Sequence, residues 1–226
     1  MQAYLAYLLL RAPDQHKLFQ ERLKSNPDGA SAEAAVFSWL RAEKLSPSIN
    51  EKPGQTGADF KCFPTGHKPF LVEVTCLNSI SVTNQSHWLD KDKLDRVAHH
   101  LNLITPQLVV KADDKTRQLS TAADGSAGVL AICLVHPIAS ILLSTLAAKW
   151  LLASEPTLEI PISATGEQVA PARAVSDLRY SAFLAARDGA IVPVRQSISA
   201  ILLIALWDRH SEVVGLLHAR FTSGSR

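Results

Sequence analysis

Hydrophobic and polar positions follow two rhythms along this chain. From Lys68 to Leu77 (KPFLVEVTCL) they alternate, with Phe70, Val72, Val74 and Cys76 on one face and Leu71, Glu73, Thr75 and Leu77 on the other, which predicts a strand. A shorter run, ADFKCF, precedes it, and PTGHK between them carries the proline and glycine of a turn. With Gly66 at the centre of that turn, Asp59 faces Glu73 across a hairpin, Cβ atoms about 5 Å apart. A one-residue slip would put Glu73 on the other face. GVLAICLV (128–135) and SISAILLIALW (197–207) are unbroken apolar runs and predict buried strands, the first following a helix and so parallel to a neighbour. EVVGLLH (212–218) is expected beside the second, after a turn at Asp208-Arg209-His210.

The helical rhythm predicts pieces over 2–12 and 14–25 separated at Pro13, with Asp14 as cap and Leu5, Leu8 and Leu9 inward. A turn is expected at Asn26-Pro27-Asp28-Gly29, then a helix capped by Ser31 and running to about Lys44, with Ala34, Phe37 and Leu40 apolar. Residues 46–57 read as a loop with a short strand near 48–51, and 78–86 as a polar loop. A helix from Trp88 to Ile104, with Leu94, Val97 and Leu101 inward, restarts at Thr105-Pro106 and runs to about Leu119, burying Val109, Ala112 and Thr116. Lys111, Lys115 and Gln118 form a polar stripe on another face of it. Ile138 to Leu152 predicts an apolar helix. Between 153 and 195 four prolines break the pattern, and only Asp177 to Arg187 reads as helical; the tail from Phe221 (FTSGSR) is expected to fray.

Composition narrows this picture. With 226 residues, 47% of them hydrophobic, the chain suits one domain (1–226): a helical extension (1–29), a core (30–135), a helical and irregular insertion (136–195) and final strands (196–220). A formal net charge of +2 creates no strong field, so charge neither selects nor excludes nucleic acid. Three cysteines without a CxxC pair argue against a disulfide framework or structural zinc and fit a reducing cytoplasm. The first residues lack the basic segment of a signal peptide. Residues 128–148 carry no Asp, Glu, Lys or Arg, but His136-Pro137 divides them, so no membrane span is expected. A GxxxxGK[ST] loop, a GxSxG elbow and an HExxH helix are all missing.

Two carboxylates facing each other need a cation, a shared proton or separation. Glu33 stands at i relative to Phe37 (i+4) and Leu40 (i+7), so it points into the body of the domain; a first-turn acid favoured by the helix dipole is the simpler explanation. Arg173, Arg179, Arg187 and Arg195 are either phosphate contacts or solvated. His67 and His87 border the hairpin as loop histidines, and Trp88 and Trp207 read as packing residues.

Taken in order, these residues resemble the PD-(D/E)XK, or restriction-endonuclease-like, nuclease superfamily, over roughly 31–135 and again, weakly, from 197. Glu33 matches that family's acid on the first helix, Gly57-Ala58-Asp59-Phe60 its Asp strand, and Val72-Glu73-Val74-Thr75 its Glu-x-Lys strand; Lys115-Thr116-Arg117-Gln118-Leu119 resembles its helix with a Gln, followed by Val129-Leu130-Ala131-Ile132. Thr75 stands where the family carries lysine. A threonine hydroxyl orients water without charge; an active site of this kind would take its lysine from elsewhere, from Lys115, preferred because Gln118 sits beside it at i+3, or from Lys61, on the strand face of Asp59. The resemblance implies a three-layer α/β/α domain with a central mixed β-sheet, and Mg²⁺- or Mn²⁺-dependent DNA hydrolysis in restriction, phage defence or repair. Asp59, Glu73 and the Val74 carbonyl would hold the metal, with Thr75, Lys115, Gln118 and Glu33 around it; DNA and a second copy of the chain are the expected partners. The alternative it leaves is an inactive nuclease-like domain that binds nucleic acid or a protein partner.

Overall fold

The structure, a computed structural model, describes residues 1–50, 57–86, 97–120, 125–153, 156–163, 165–171, 173–176, 178, 181–207 and 210–218. Three helices, α1 (Gln2–Arg11), α2 (Pro13–Ser25) and α3 (Pro27–Ala42), lead into β1 (Pro47–Ile49), β2 (Phe60–Cys62) and β3 (Phe70–Cys76). Helices α4 (Ser79–Ser86) and α5 (Val97–Ser120) follow, then β4 (Ala127–Val135), α6 (Ala139–Leu142) and α7 (Thr145–Ala153). Two small ribbons, β5 (Pro156–Glu159) with β6 (Arg173–Ser176) and β7 (Leu184–Arg187) with β8 (Ala190–Pro193), precede β9 (Ile198–Trp207) and β10 (His210–Leu217).

One six-stranded sheet, in the order β1-β2-β3-β4-β9-β10, organises the molecule. β3, β4 and β9 are parallel at its centre, while β1, β2 and β10 pair antiparallel outside them. The alternation along the central strands sends side chains into two cores. Leu71, Leu77, Leu130, Ile132, Ile201 and Leu203 pack under α5, α6 and α7. Val72, Ala131, Cys133 and Ile204 pack under α1, α2 and α3, against Tyr4, Phe19 and Phe37. The fold is therefore α/β, with a mixed sheet and helices on both faces. Among the described residues no helix is long and apolar enough to cross a membrane.

Several local expectations fail for identifiable reasons. Asn26-Pro27 is not a turn but the start of α3: the Asn26 side chain accepts the Gly29 N–H at 3.1 Å and Pro27 takes the first helical position, so α3 begins before Ser31. Asp14 likewise lies in the first turn of α2, behind Pro13, and does not cap it. On α1, Tyr4 and Leu8 are buried, whereas Leu9 is 58% exposed. The polar stretch after Asn78 is helix α4, begun by the Asp28 carboxylate, which accepts from the Ser79 amide and hydroxyl.

Pro106 lies inside α5, which continues through it; Thr105 is fully buried and packing outweighs the lost backbone bond. Residues 138–152 form two helices, α6 and α7, broken after Leu142. The expected helix 177–187 is contradicted by β7, which turns into β8 at Asp188-Gly189, both with positive φ. Glu51, His87, Trp88, Leu94, Asp177, Arg179, Asp208 and Arg209 lie outside the described residues.

Candidate functional site

The site begins where the β2–β3 ladder stops. β2 covers β3 only from Phe60↔Val72 to Cys62↔Phe70, the register that a turn centred on Gly66 demands; Gly66 has φ +77°, a conformation open to glycine. Before Phe60 the chain turns aside toward β1. Asn50 N donates to the Asp59 carbonyl at 2.8 Å, and Asn50 Nδ2 to the Ala58 carbonyl at 3.0 Å. The edge of β3 beyond Val72 thus loses its neighbour, and the Val74 N–H is received instead by Asp59 Oδ2 at 2.7 Å.

A cleft of about 920 Å³ opens at this fork, and it is lined by Glu33, Asp59, Glu73, Val74, Thr75, Lys115 and Gln118 together. Glu73 and Thr75 interrupt the face of β3 whose other members, Leu71 and Leu77, are core. Glu73 is only 2% exposed. Its compensation comes from α5, which buries Leu108, Ala112 and Leu119 against the sheet and so aims Lys115 along it: Lys115 Nζ donates to Glu73 Oε1 at 2.7 Å.

Glu33 reaches the cleft from the opposite layer, and its carboxylate is engaged. The Tyr4 hydroxyl donates to Oε1 at 2.6 Å, while Arg22 Nη2 lies 3.3 Å from Oε1 and Nη1 3.2 Å from Oε2. Burial, and then the Glu33 charge, hold the Tyr4 hydroxyl far above its ordinary pKa. Tyr4 and Arg22 were not legible as site residues. The only sequence signal is the Tyr4/Leu8 spacing on α1, which places Tyr4 on the buried face.

Other expected residues fall elsewhere. Lys61 Nζ lies 5.9 Å from the centre of the Phe63 ring and does not line the cleft. Arg195 is engaged within the protein: its Nε and Nη2 donate to the Asp113 carboxylate at 2.7 and 2.9 Å, and Nη1 donates to the Ser181 and Ala182 carbonyls. His67 is exposed in the hairpin turn.

The described residues hold no group of three or more His, Cys, Asp or Glu arranged for a metal ion. Asp59, Glu73 and Val74 nonetheless line the same cleft and offer hard oxygen donors there. Mg²⁺ commonly takes one or two protein carboxylates and completes its shell with water and phosphate oxygens, so the donor chemistry fits that ion. Comparison with known proteins found no match among family models, curated proteins or solved structures.

Proposed function

We propose that this chain is a restriction-endonuclease-like, metal-dependent nuclease that hydrolyses DNA phosphodiester bonds. The observation that carries the reading is the Lys115 ammonium, 2.7 Å from Glu73 in the cleft that also holds Asp59, Thr75 and Gln118. A lysine on α5 thereby stands in for the one that Thr75 replaces on β3. Asp59 and Glu73, with the Val74 carbonyl, would hold Mg²⁺ or Mn²⁺, which when bound polarises a phosphoryl oxygen and stabilises the leaving group. Lys115 supplies positive charge beside the attacked phosphate, and the Thr75 hydroxyl and Gln118 amide orient water.

The same ion pair favours a second reading. Lys115 already neutralises Glu73, so the domain can hold a nucleic acid or protein partner without cutting. Incubation of supercoiled plasmid and of single-stranded DNA with Mg²⁺ or Mn²⁺ separates the two. Metal-dependent nicking that disappears in Asp59→Asn and in Glu73→Gln, with far-UV circular dichroism unchanged, is the expected result. Cleavage that survives both substitutions overturns the nuclease reading. Retained DNA with no turnover in either metal establishes the second.

A further inference from the structure

Four carboxylates and three cationic side chains line the cleft. Of its carboxylates, Asp28 accepts from Ser79, Glu33 from Tyr4 and Arg22, Asp59 from the Val74 amide, and Glu73 from Lys115. Lys111 also lines the cleft and forms no ion pair among the described residues. It lies one turn before Lys115 on α5, on a stripe that continues to Gln107 on one side and Gln118 on the other. Its side chain is half-buried. Lys111 thus lines the same cleft as Thr75 and Cys76, one helical turn from Lys115.

We propose that Lys111 is a substrate-binding residue that holds the backbone phosphate next to the scissile one, so that α5 lies along a nucleic-acid strand with Lys111 and Lys115 on successive phosphates. This rests on the nuclease reading. One helical turn separates the two lysines by about 6 Å along the axis, comparable with the step between neighbouring phosphates on one strand. An ammonium is a compact point charge suited to a phosphate oxygen, and a cation paired with no carboxylate among the described residues is placed to take such an oxygen from a ligand. The Gln107 and Gln118 amides, at the two ends of the stripe, extend the polar track in both directions. Such contacts fix the register of a strand without reading its sequence.

Fluorescence anisotropy with a fluorescein-labelled single-stranded DNA, in EDTA so that no cleavage intervenes, tests this across a salt series. Lys111→Ala is expected to raise Kd several-fold and to flatten the slope of log Kd against log salt by about 0.7, the contribution of one phosphate contact on a single strand. Lys111→Arg is expected to restore both. A merely structural lysine would leave the salt slope unchanged, and the urea midpoint of Lys111→Ala checks the fold separately. Wild-type protein that binds DNA while Lys111→Ala shows the same Kd and slope overturns this assignment and leaves the nuclease reading standing. Wild-type protein that binds neither single-stranded nor duplex DNA overturns that reading and this assignment together.

Discussion

Lys115 and Glu73, 42 positions apart in the chain, meet at 2.7 Å between α5 and β3, with the carboxylate 2% exposed and the ammonium side chain 24% exposed. A carboxylate so deeply placed is tolerable only with a cation beside it. Lys115→Met should therefore destabilise the fold by about 2–4 kcal/mol, somewhat below the cost of stripping a fully buried pair because the ammonium is partly solvated. Adding Glu73→Gln should recover much of that loss. Urea denaturation of the two single variants and the double variant measures the coupling, and additive losses would show that the pair is not the stabilising unit.

Tyr4 makes a prediction at alkaline pH. Its hydroxyl is a donor to a carboxylate, and both burial and the Glu33 charge favour the protonated form. The folded pKa lies above the unfolded value of about 10, so the folded state keeps a proton that the unfolded state gives up. The stabilisation is complete below about pH 10 and declines as pH rises past it. Tyr4→Phe should cost about 1.5–3 kcal/mol at neutral pH, the range for hydrogen bonds to charged groups. It should also shrink the alkaline fall in melting temperature. An identical alkaline slope in the two proteins would refute the assignment.

His136 has the opposite sign. It is 6% exposed, its Nδ1 accepts the Ile138 N–H at 3.3 Å, and its Nε2 lies 2.9 Å from Thr83 Oγ1, so the neutral ring donates through Nε2. Burial lowers its pKa, with Asp28 pulling the other way. Between the unfolded value of about 6.5 and the lower folded value, the unfolded chain binds more protons. Stability is therefore full above about pH 6.5 and falls on acidification, as protonation of Nδ1 displaces the Ile138 amide. His136→Asn, which keeps an acceptor at the δ position, should flatten the urea midpoint between about pH 7 and pH 5.5 relative to the parent.

Gly128 sits where the pairing of β4 with β9 shifts register. A Cβ there would strike the Ser197 carbonyl oxygen and press on Leu119 of α5. Gly128→Ala should cost about 1–3 kcal/mol by overpacking, read as a lower thermal midpoint. A variant as stable as the parent would mean that the bulge relaxes freely.

The parts of this fold that were legible are those set by neighbours in sequence. The hairpin register follows from Gly66 and the alternation of 70–77 as far as Phe60↔Val72; the ladder ends before the expected Asp59–Glu73 pair, where the chain turns aside and the Asp59 carboxylate takes the Val74 N–H instead. β4 and β9 declared themselves by being apolar on both faces, as central parallel strands are. Lys115 was separable from Lys61 because Gln118 shares its helix face. What was hidden depends on distant partners. Helix α4 starts where Asp28, 51 positions earlier, takes up the Ser79 amide and hydroxyl. Arg195 is committed to Asp113, 82 positions away, and nothing local to Arg195 reveals it. The β7–β8 ribbon was a missed local signal, since Asp188-Gly189 is a hairpin dipeptide.

Glu33 is the point at which three helices are fastened, with Tyr4 from α1 and Arg22 from α2 both closing on one carboxylate of α3. An inactive Glu33 variant would consequently be ambiguous evidence: the same deletion unfastens α1 and α2 and removes a wall of the cleft, whatever the carboxylate does for substrate. The substitution that separates scaffold from chemistry is Tyr4→Phe, which loosens the fastening and leaves every acid of the cleft in place.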